Sequence, residues 1–286
     1  MNAVAEQVSK GIAGNDFSNG LRAFTFWVGD TLYAIDIGRV LTISQELSSI
    51  QNLPARGKGL LGMVEFQEHA IPVVDFALML ELESGSVRGK NLIQSLEARE
   101  KEHHEWLNSL EDSLINGSPF LKAKDPHECA FGKWYDSFKS RDETLMELML
   151  DFNQPHKQIH SLADKLLNMY VAGEAEKALD ILRLERDITM KRLSRHFAQA
   201  REHIRESSRS VLLYVTEDGR TPTVALQIDD IHDVIDFKPQ QFKPMQTVKA
   251  ILGADESKLI THYLKQKDTA DCLLIDASRI SEIIKV

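Results

Sequence analysis

The pattern of apolar and polar positions divides the chain into two β-type segments with a helical segment between them. In residues 21–82 apolar and polar positions alternate, as in RAFTFWVGDTLYAIDI around a Gly29-Asp30 turn. The alternation returns in residues 208–286, where SVLLYVTEDGRTPTVALQIDDIHDVIDF predicts two strands joined by an Asp218-Gly219 turn. HAIPVVDF and DCLLIDASRI are further apolar runs of strand character. Both outer segments are therefore predicted to be β-structure.

The middle segment, residues 97–206, has the composition of a helical bundle. It holds only three of the fifteen glycines, and its apolar residues recur at spacings of three and four. The outer segments echo each other loosely, since each has a hairpin that ends in an Ile-Asp pair, Ile35-Asp36 and Ile228-Asp229. The pattern predicts an α+β protein in which a bundle interrupts one β domain of two similar lobes.

Composition and charge narrow the function classes. With 43% hydrophobic and 27% charged residues, the 286-residue chain can bury a core. Its net charge of −9 argues against a nucleic-acid or anionic-membrane partner. We expect no secretory signal and no membrane insertion, because no basic region precedes an apolar run and no run approaches the ~20 residues that span a bilayer. Two distant cysteines argue against a disulfide framework, so a cytoplasmic protein with reduced thiols is expected.

The run DPHECAFGKWYDS contains one of the two cysteines, Cys129. Asp125 can cap a helix, Pro126 suits its first turn, and Glu128 completes a capping box, which predicts Cys129 in the first helical turn or just beyond. Backbone N–H groups and the helix dipole favour a thiolate there. A thiolate is the form that binds metals and reacts with oxidants.

Histidines on two predicted helices complete a candidate metal site. His156 and His160 lie four apart on the apolar stripe of DFNQPHKQIHSLADKLLNMY, so both point inward. In SLEAREKEHHEWLNSLEDSLI, His103 shares the apolar face, whereas His104 aligns with polar residues. One thiolate and three imidazoles suit tetrahedral zinc. Taken singly, each residue also fits an ordinary core position. His127 is predicted to lie on a different side of its helix from Cys129, and His196 is interpreted as a core residue or one that supports the ligands. Cys272, Trp106 and Trp134 are interpreted as core residues.

The runs HHEW, CAFGKWY and HKQIH resemble the chemoreceptor zinc-binding (CZB) domain family. The family pattern has a His ahead of a Trp, a Cys-x-x-Gly-x-Trp run and a His-x-x-x-His pair. The resemblance implies zinc as the cofactor. The implied ligands are His103, Cys129, His156 and His160, the set that helical spacing also selects.

The flanking runs FTFWVGDTLYAIDIGRVLTI, LPARGKGLLGMVEFQEHAIPVVDF and CLLIDASRI resemble CheW, the adaptor that couples chemoreceptors to the histidine kinase CheA. The resemblance implies a CheW-like double β-barrel, split here by an inserted antiparallel four-helix bundle. Where the family usually has Asn-Leu-Arg-Gly, this chain has Glu65-Phe66-Gln67-Glu68. The change removes an arginine and adds two carboxylates at a surface that the family uses to couple chemoreceptors to the kinase. Such a change of charge alters which partners this surface can bind. The candidate partner-binding residues are Gly62, Glu65 and Gln67.

Together these patterns predict a non-enzymatic signalling adaptor. The expected domains are a flexible N-terminal tail (1–20), the N-terminal part of the CheW-like domain (21–90), the CZB bundle (91–206) and the C-terminal CheW-like part (207–286). In this hypothesis, zinc loss or oxidation of the Cys129 thiolate, for example by hypochlorous acid, loosens the bundle. The loosened bundle changes how the β lobes bind a chemoreceptor or a CheA-type kinase. The sequence leaves open whether the chain forms a homodimer.

Two other function classes use the same residues. In a zinc enzyme, three histidines would hold an activated water without Cys129, yet the sequence has no adjacent general base of the His-Glu-x-x-His kind. In a purely structural zinc bundle on a scaffold or dimerisation protein, the ion would be held tightly and mild oxidation would change nothing.

Overall fold

The computed structural model describes residues 17–46, 50–52, 57–244, 254–267 and 270–284. They fall into two compact units, one formed by the chain before Gly89 and after Ser207 and the other by residues 89–207. The predicted α+β class is confirmed. Residues 1–16 of the predicted N-terminal tail lie outside the described residues.

The strands all belong to the first unit, and the longer helices belong mainly to the second. The strands are β1 (Leu21–Val28), β2 (Thr31–Asp36), β3 (Val40–Ser44), β4 (Gln51–Asn52), β5 (Leu60–Phe66), β6 (His69–Asp75), β7 (Val211–Thr216), β8 (Pro222–Ile228), β9 (Asp230–Phe237), β10 (Phe242–Pro244), β11 (Ile260–Leu264) and β12 (Cys272–Ile275). The α-helices are α1 (Phe76–Met79), α2 (Gly85–Asn116), α3 (Ala130–Ser137), α4 (Glu143–Leu150), α5 (Asn153–Val171), α6 (Ala175–Glu185), α7 (Lys191–Ser207), α8 (Ala254–Leu259) and α9 (Ile280–Ile284).

Both hairpins predicted from the sequence are present, and the twelve strands found within the described ranges form two sheets of six. One sheet has the order β10-β11-β12-β2-β1-β9 and the other β4-β5-β6-β8-β7-β3. The orders coincide when β1–β6 are matched with β7–β12, so the loose sequence echo corresponds to a structural repeat. Each sheet takes strands from both sides of the helical segment. Among the described strands neither sheet closes on itself, so the predicted closed barrels are not seen in this pairing.

Side chains alternate between the two faces of each strand in the first unit, and the apolar ones form three clusters. Phe24 and Phe26 on β1 enter a cluster that also contains Leu213 and Leu226 of the other sheet. Ala23, which precedes Phe24 and lies on the opposite face of β1, enters a second cluster within its own sheet. The other sheet has a matching third cluster. A register slip of one residue would reverse these faces, and each buried phenylalanine contributes about 1.5–3 kcal/mol, so the register is strongly specified.

The second unit holds one apolar cluster within six α-helical segments of the described chain, rather than four uniform helices. The short helices α3 and α4 replace one long helix because Cys129 and Asp142 each cap a new start. A π-helical turn, Arg186–Met190, joins α6 to α7. None of the helices in the described ranges combines the length and apolar character needed to cross a membrane.

Candidate metal centre

Three elements bring together the four residues selected from the sequence. His103 lies on α2, Cys129 immediately precedes α3, and His156 and His160 lie on consecutive turns of α5. Each offers one ligand atom, and the four atoms lie within 4.8 Å of one another. The three imidazoles are buried and Cys129 is half-buried. One small cation can therefore reach all four atoms.

Cys129 is itself the N-cap of α3. Its Sγ accepts a hydrogen bond from the Gly132 N–H at 3.1 Å, and the helix begins at Ala130. The predicted cap at Asp125 is wrong. The Asp125 carboxylate instead accepts from the His127 N–H at 2.8 Å, which makes a tight turn before the helix. Capping-box and turn residues share the same chemistry, so the sequence alone did not separate the two arrangements.

Hydrogen bonds fix the ring tautomers of two histidines. Nδ1 of His103 lies 2.7 Å from the Arg99 carbonyl oxygen, and Nδ1 of His160 lies 3.2 Å from the Ala123 oxygen. A carbonyl only accepts, so Nδ1 carries the hydrogen and Nε2 carries the lone pair. Both Nε2 atoms are buried, and among the described residues neither has a hydrogen-bond partner. Such atoms cost about 1–3 kcal/mol each, which a shared cation would offset.

The electrostatics favour neutral imidazoles. Burial, reinforced by the neighbouring imidazoles, lowers the pKa of His156 to about 2 and that of His160 to about 4. Burial also lowers the pKa of His103. Neutral imidazole is the form that coordinates a metal ion. All three rings are therefore ready to bind without losing a proton at neutral pH.

Burial raises the pKa of the Cys129 thiol, although N–H groups of Gly132 and Phe131 oppose that effect. The expected preference for a thiolate at the helix start is therefore outweighed by desolvation. Sγ lies 3.3 Å from the Pro126 carbonyl oxygen, where a thiol donates, and 3.2 Å from Nε2 of His156. A cation bound at these atoms would favour the thiolate again.

Aromatic rings surround the ligand atoms. Phe131 lies edge-on to His103 and His156, at centroid distances of 5.6 and 4.9 Å. Trp106 packs on His160 at 5.0 Å. This apolar shell limits water and strengthens electrostatic interactions at the centre.

Several other polar side chains lie outside the cluster. His127 is exposed and pairs with Asp136 at 2.9 Å. His104 is also exposed, 3.4 Å from Ser194. His196 packs beside Phe152 at 5.8 Å. Helical spacing therefore predicted correctly that His103, rather than His104, lies on the buried face of α2.

Sequence reasoning missed the roles of Gly132 and Trp106. A Cβ at Gly132 would lie 1.8 Å from the Pro126 carbonyl oxygen, so only glycine lets the loop pass this close to α3. Its rarity in the helical segment was an available signal. The indole N–H of Trp106 donates to the Ala123 carbonyl at 2.7 Å, a contact to which no sequence pattern pointed.

The candidate partner-binding residues lie in the β5–β6 hairpin. Gly62 is buried in β5, where it pairs with Asn52 and Val73. Glu65 is exposed on the same strand, and Gln67 and Glu68 form the turn with φ angles of 47° and 67°. Left-handed backbone at two consecutive non-glycine residues is uncommon and costs conformational energy.

Comparisons with known proteins identify two kinds of domain. The family model for the chemoreceptor zinc-binding domain matches residues 103–167, which include all four clustered residues. The CheW-like domain model matches residues 22–100. These matches indicate a chemotaxis adaptor with a zinc-binding domain, and both families are non-enzymatic kinds of domain. Zinc is the cofactor that the family match and the donor set together support.

Among solved structures, the scaffolding protein TtCheW from Thermoanaerobacter tengcongensis is similar at 12% sequence identity with a TM-score of 0.40. The similarity covers 90% of this chain and 89% of that chain. No curated protein matches the sequence.

Proposed function

We propose that this protein is a cytoplasmic chemotaxis adaptor whose zinc site is formed by His103, Cys129, His156 and His160 and responds to zinc or to oxidants. The observation that carries the proposal is the convergence of buried, unpartnered Nε2 atoms on the Cys129 thiol. A bound zinc ion would stabilise the thiolate and cross-link α2, α5 and the start of α3.

Cys129 is the residue through which the site would respond, because it has two roles at once. Its sulfur is a candidate ligand and also the acceptor that caps α3. Hypochlorous acid converts a thiolate to a sulfenic acid: sulfur gives two electrons to chlorine, an S–O bond forms and chloride leaves. The oxidised sulfur is a poorer ligand, so the same event weakens the site and the start of the helix.

We further propose domain boundaries near residues 90 and 206, so that the zinc-binding bundle is an insertion in the CheW-like domain. The division into compact units on either side of residues 89–207 supports this. The two six-stranded sheets, each with its own apolar cluster, support an assignment to the two lobes of a CheW-like double barrel.

The partner of the CheW-like part is proposed to be a chemoreceptor or a CheA-type histidine kinase, bound through the β5–β6 hairpin. The exposed Glu65 and Gln67 support this surface, whereas the buried Gly62 would act by positioning β5. Glu65→Arg should weaken binding to a purified CheA-type kinase severalfold, because it reverses a surface charge. Lys258→Glu, a charge reversal on α8, is the control. Equal binding by parent and Glu65→Arg would exclude this surface.

The first test is the zinc content of reduced, natively purified protein. We expect about one zinc per chain in the parent and in His127→Ala, whose histidine pairs with Asp136 instead. Cys129→Ser and His160→Ala should lose zinc. A well-folded parent without zinc would refute the site.

The second test addresses sensing, and it separates the proposal from a structural zinc bundle. The burial of all three imidazoles favours that alternative as well, since a closed site suits a structural ion. We expect substoichiometric hypochlorous acid to release zinc and change kinase binding in the parent but not in Cys129→Ser. Unchanged binding by the parent would leave only the structural role, whereas an equal response in Cys129→Ser would show that Cys129 is not the residue that responds.

A further inference from the structure

One backbone carbonyl beside the metal centre accepts two hydrogen bonds from buried side chains. The indole Nε1–H of Trp106 donates to the Ala123 oxygen at 2.7 Å, and Nδ1–H of His160 donates to the same oxygen at 3.2 Å. Trp106 is 4% exposed and His160 is 2% exposed. Their ring centroids lie 5.0 Å apart. The tryptophan and the candidate ligand therefore share one acceptor.

This shared acceptor gives Trp106 influence over His160. An indole N–H only donates, and a carbonyl oxygen has two lone pairs, so the two donors occupy the oxygen fully. We propose that Trp106 is a positioning residue of the metal centre: it holds the Ala123 carbonyl where Nδ1–H of His160 bonds to it and Nε2 of His160 faces the other ligand atoms. This inference rests on the proposed zinc site.

Other contacts show how the Ala123 carbonyl is held from both sides. Phe120, in the same loop, packs edge-on against Trp106 at 5.0 Å. Lys124 pairs with Asp164 at 2.7 Å, one turn beyond His160 on α5. On α2, Trp106 lies one turn after His103. The same face of this helix therefore supplies one candidate ligand, His103, and helps to orient another, His160.

A tryptophan that only fills the core would need apolar contacts and some acceptor for its N–H. The acceptor here is instead the group that fixes the tautomer of a ligand. Groups that orient ligands in this way typically change metal affinity by about 10–100-fold when they are removed. That magnitude separates the proposed role from simple core packing.

The test compares Trp106→Phe with Trp134→Phe in the full chain. Trp134 is a matched control because its ring packs against Phe131 and Phe138, and both changes remove one indole N–H. Competition with a chromophoric chelator measures zinc affinity. We expect Trp106→Phe to weaken it about 10–100-fold and Trp134→Phe to leave it unchanged. Equal affinities in the two variants would overturn the inference, whereas a parent that does not bind zinc would instead refute the proposed site.

A second measurement begins with the parent protein, so its main result does not depend on whether Trp106→Phe folds. Long-range proton–nitrogen NMR correlations on zinc-depleted parent protein report which nitrogen of each histidine carries the hydrogen. We expect Nδ1–H for His160 and a hydrogen-bonded indole N–H for Trp106. In a folded Trp106→Phe, the tautomer ratio should shift for His160 but not for His103, which bonds to Arg99. Nε2–H at His160 in the parent would contradict the proposal.

Discussion

Gly132 lies where α3 touches the loop that leads into it, and its missing side chain leaves room for the Pro126 carbonyl. An added Cβ would sit 1.8 Å from that oxygen and 3.1 Å from the His127 Cα, both backbone atoms. Backbone cannot move aside as a flexible side chain can. The only available relaxation displaces the loop and with it Cys129.

We therefore expect Gly132→Ala to weaken zinc binding by about 10–100-fold, because it shifts the candidate ligand Cys129 rather than removing it. The control is Gly173→Ala in the same unit. That position has a φ of +82° and open space around it, so alanine there costs about 1 kcal/mol of backbone strain away from the site. Chelator competition measures affinity and urea unfolding measures stability. If both variants bind zinc as the parent does, the close contact does not position Cys129.

The clustering of the candidate metal ligands was predictable from the sequence because helical spacing decides which side chains face inward. His103 and His104 are neighbours, yet only His103 continues the apolar stripe, and the structure buries it. The start of α3 and the Trp106–Ala123 contact were not predictable. They depend on how a loop without periodicity folds back, and residues such as Asp125 can form either a cap or a turn.

At the scale of elements, the β5–β6 hairpin turn is conformationally costly. Two-residue turns of this hand favour Asn-Gly, and here Gln67 and Glu68 adopt positive φ. Changing them to Gln67→Asn and Glu68→Gly should stabilise the protein by about 1–2 kcal/mol, measured by urea unfolding. In the β1–β2 turn, Gly29→Ala should do the opposite, since Gly29 has a φ of +59°. Lower stability of the double variant would show that the two side chains contribute more than their backbone costs.

The paired positions Asp36 and Asp229 have different roles in the structure. Asp36 caps a short 3₁₀ turn through the Gly38 N–H at 2.9 Å. Asp229 accepts from the N–H groups of Gly29 and Gly85 and pairs with Arg88. The sequence echo indicated equivalent positions, but it carried no information about these contacts from distant parts of the chain.

Asp229→Ala should therefore destabilise the first unit more than Asp36→Ala does. Asp229→Ala removes the carboxylate that accepts from the Gly29 and Gly85 N–H groups and pairs with the Arg88 guanidinium. We expect this loss to lower the free energy of unfolding by roughly 2–4 kcal/mol. Loss of the Asp36 cap costs roughly 0.5–1 kcal/mol. Urea unfolding of the two variants gives the comparison. Equal destabilisation would show that the Asp229 contacts add nothing beyond a cap.

At the scale of the whole molecule, each unit has apolar clusters of its own. Removing zinc should therefore affect hydrogen exchange unevenly. Peptides that contain α2, α3 and α5 should exchange faster after chelation, because a bound ion stabilises the native state by about 4 kcal/mol when its concentration is 1,000 times its dissociation constant. Strands β1, β7 and β8 should keep their protection. Equal loss of protection in those strands would show that the chain unfolds as one cooperative body.

The exchange of strands between the two halves of the chain also bears on biosynthesis. Thr25 on β1 bonds to His232 on β9, 207 residues later, so the ribosome releases one strand long before its neighbour exists. At about 5–20 residues per second, that interval is roughly 10–40 s. The complete metal-binding segment emerges from the ribosome during that interval. Its helices can therefore bind zinc before β9 is available to pair with β1 of the first hairpin. A cell that lacks zinc during those seconds would hold a nascent chain with two unfinished regions instead of one.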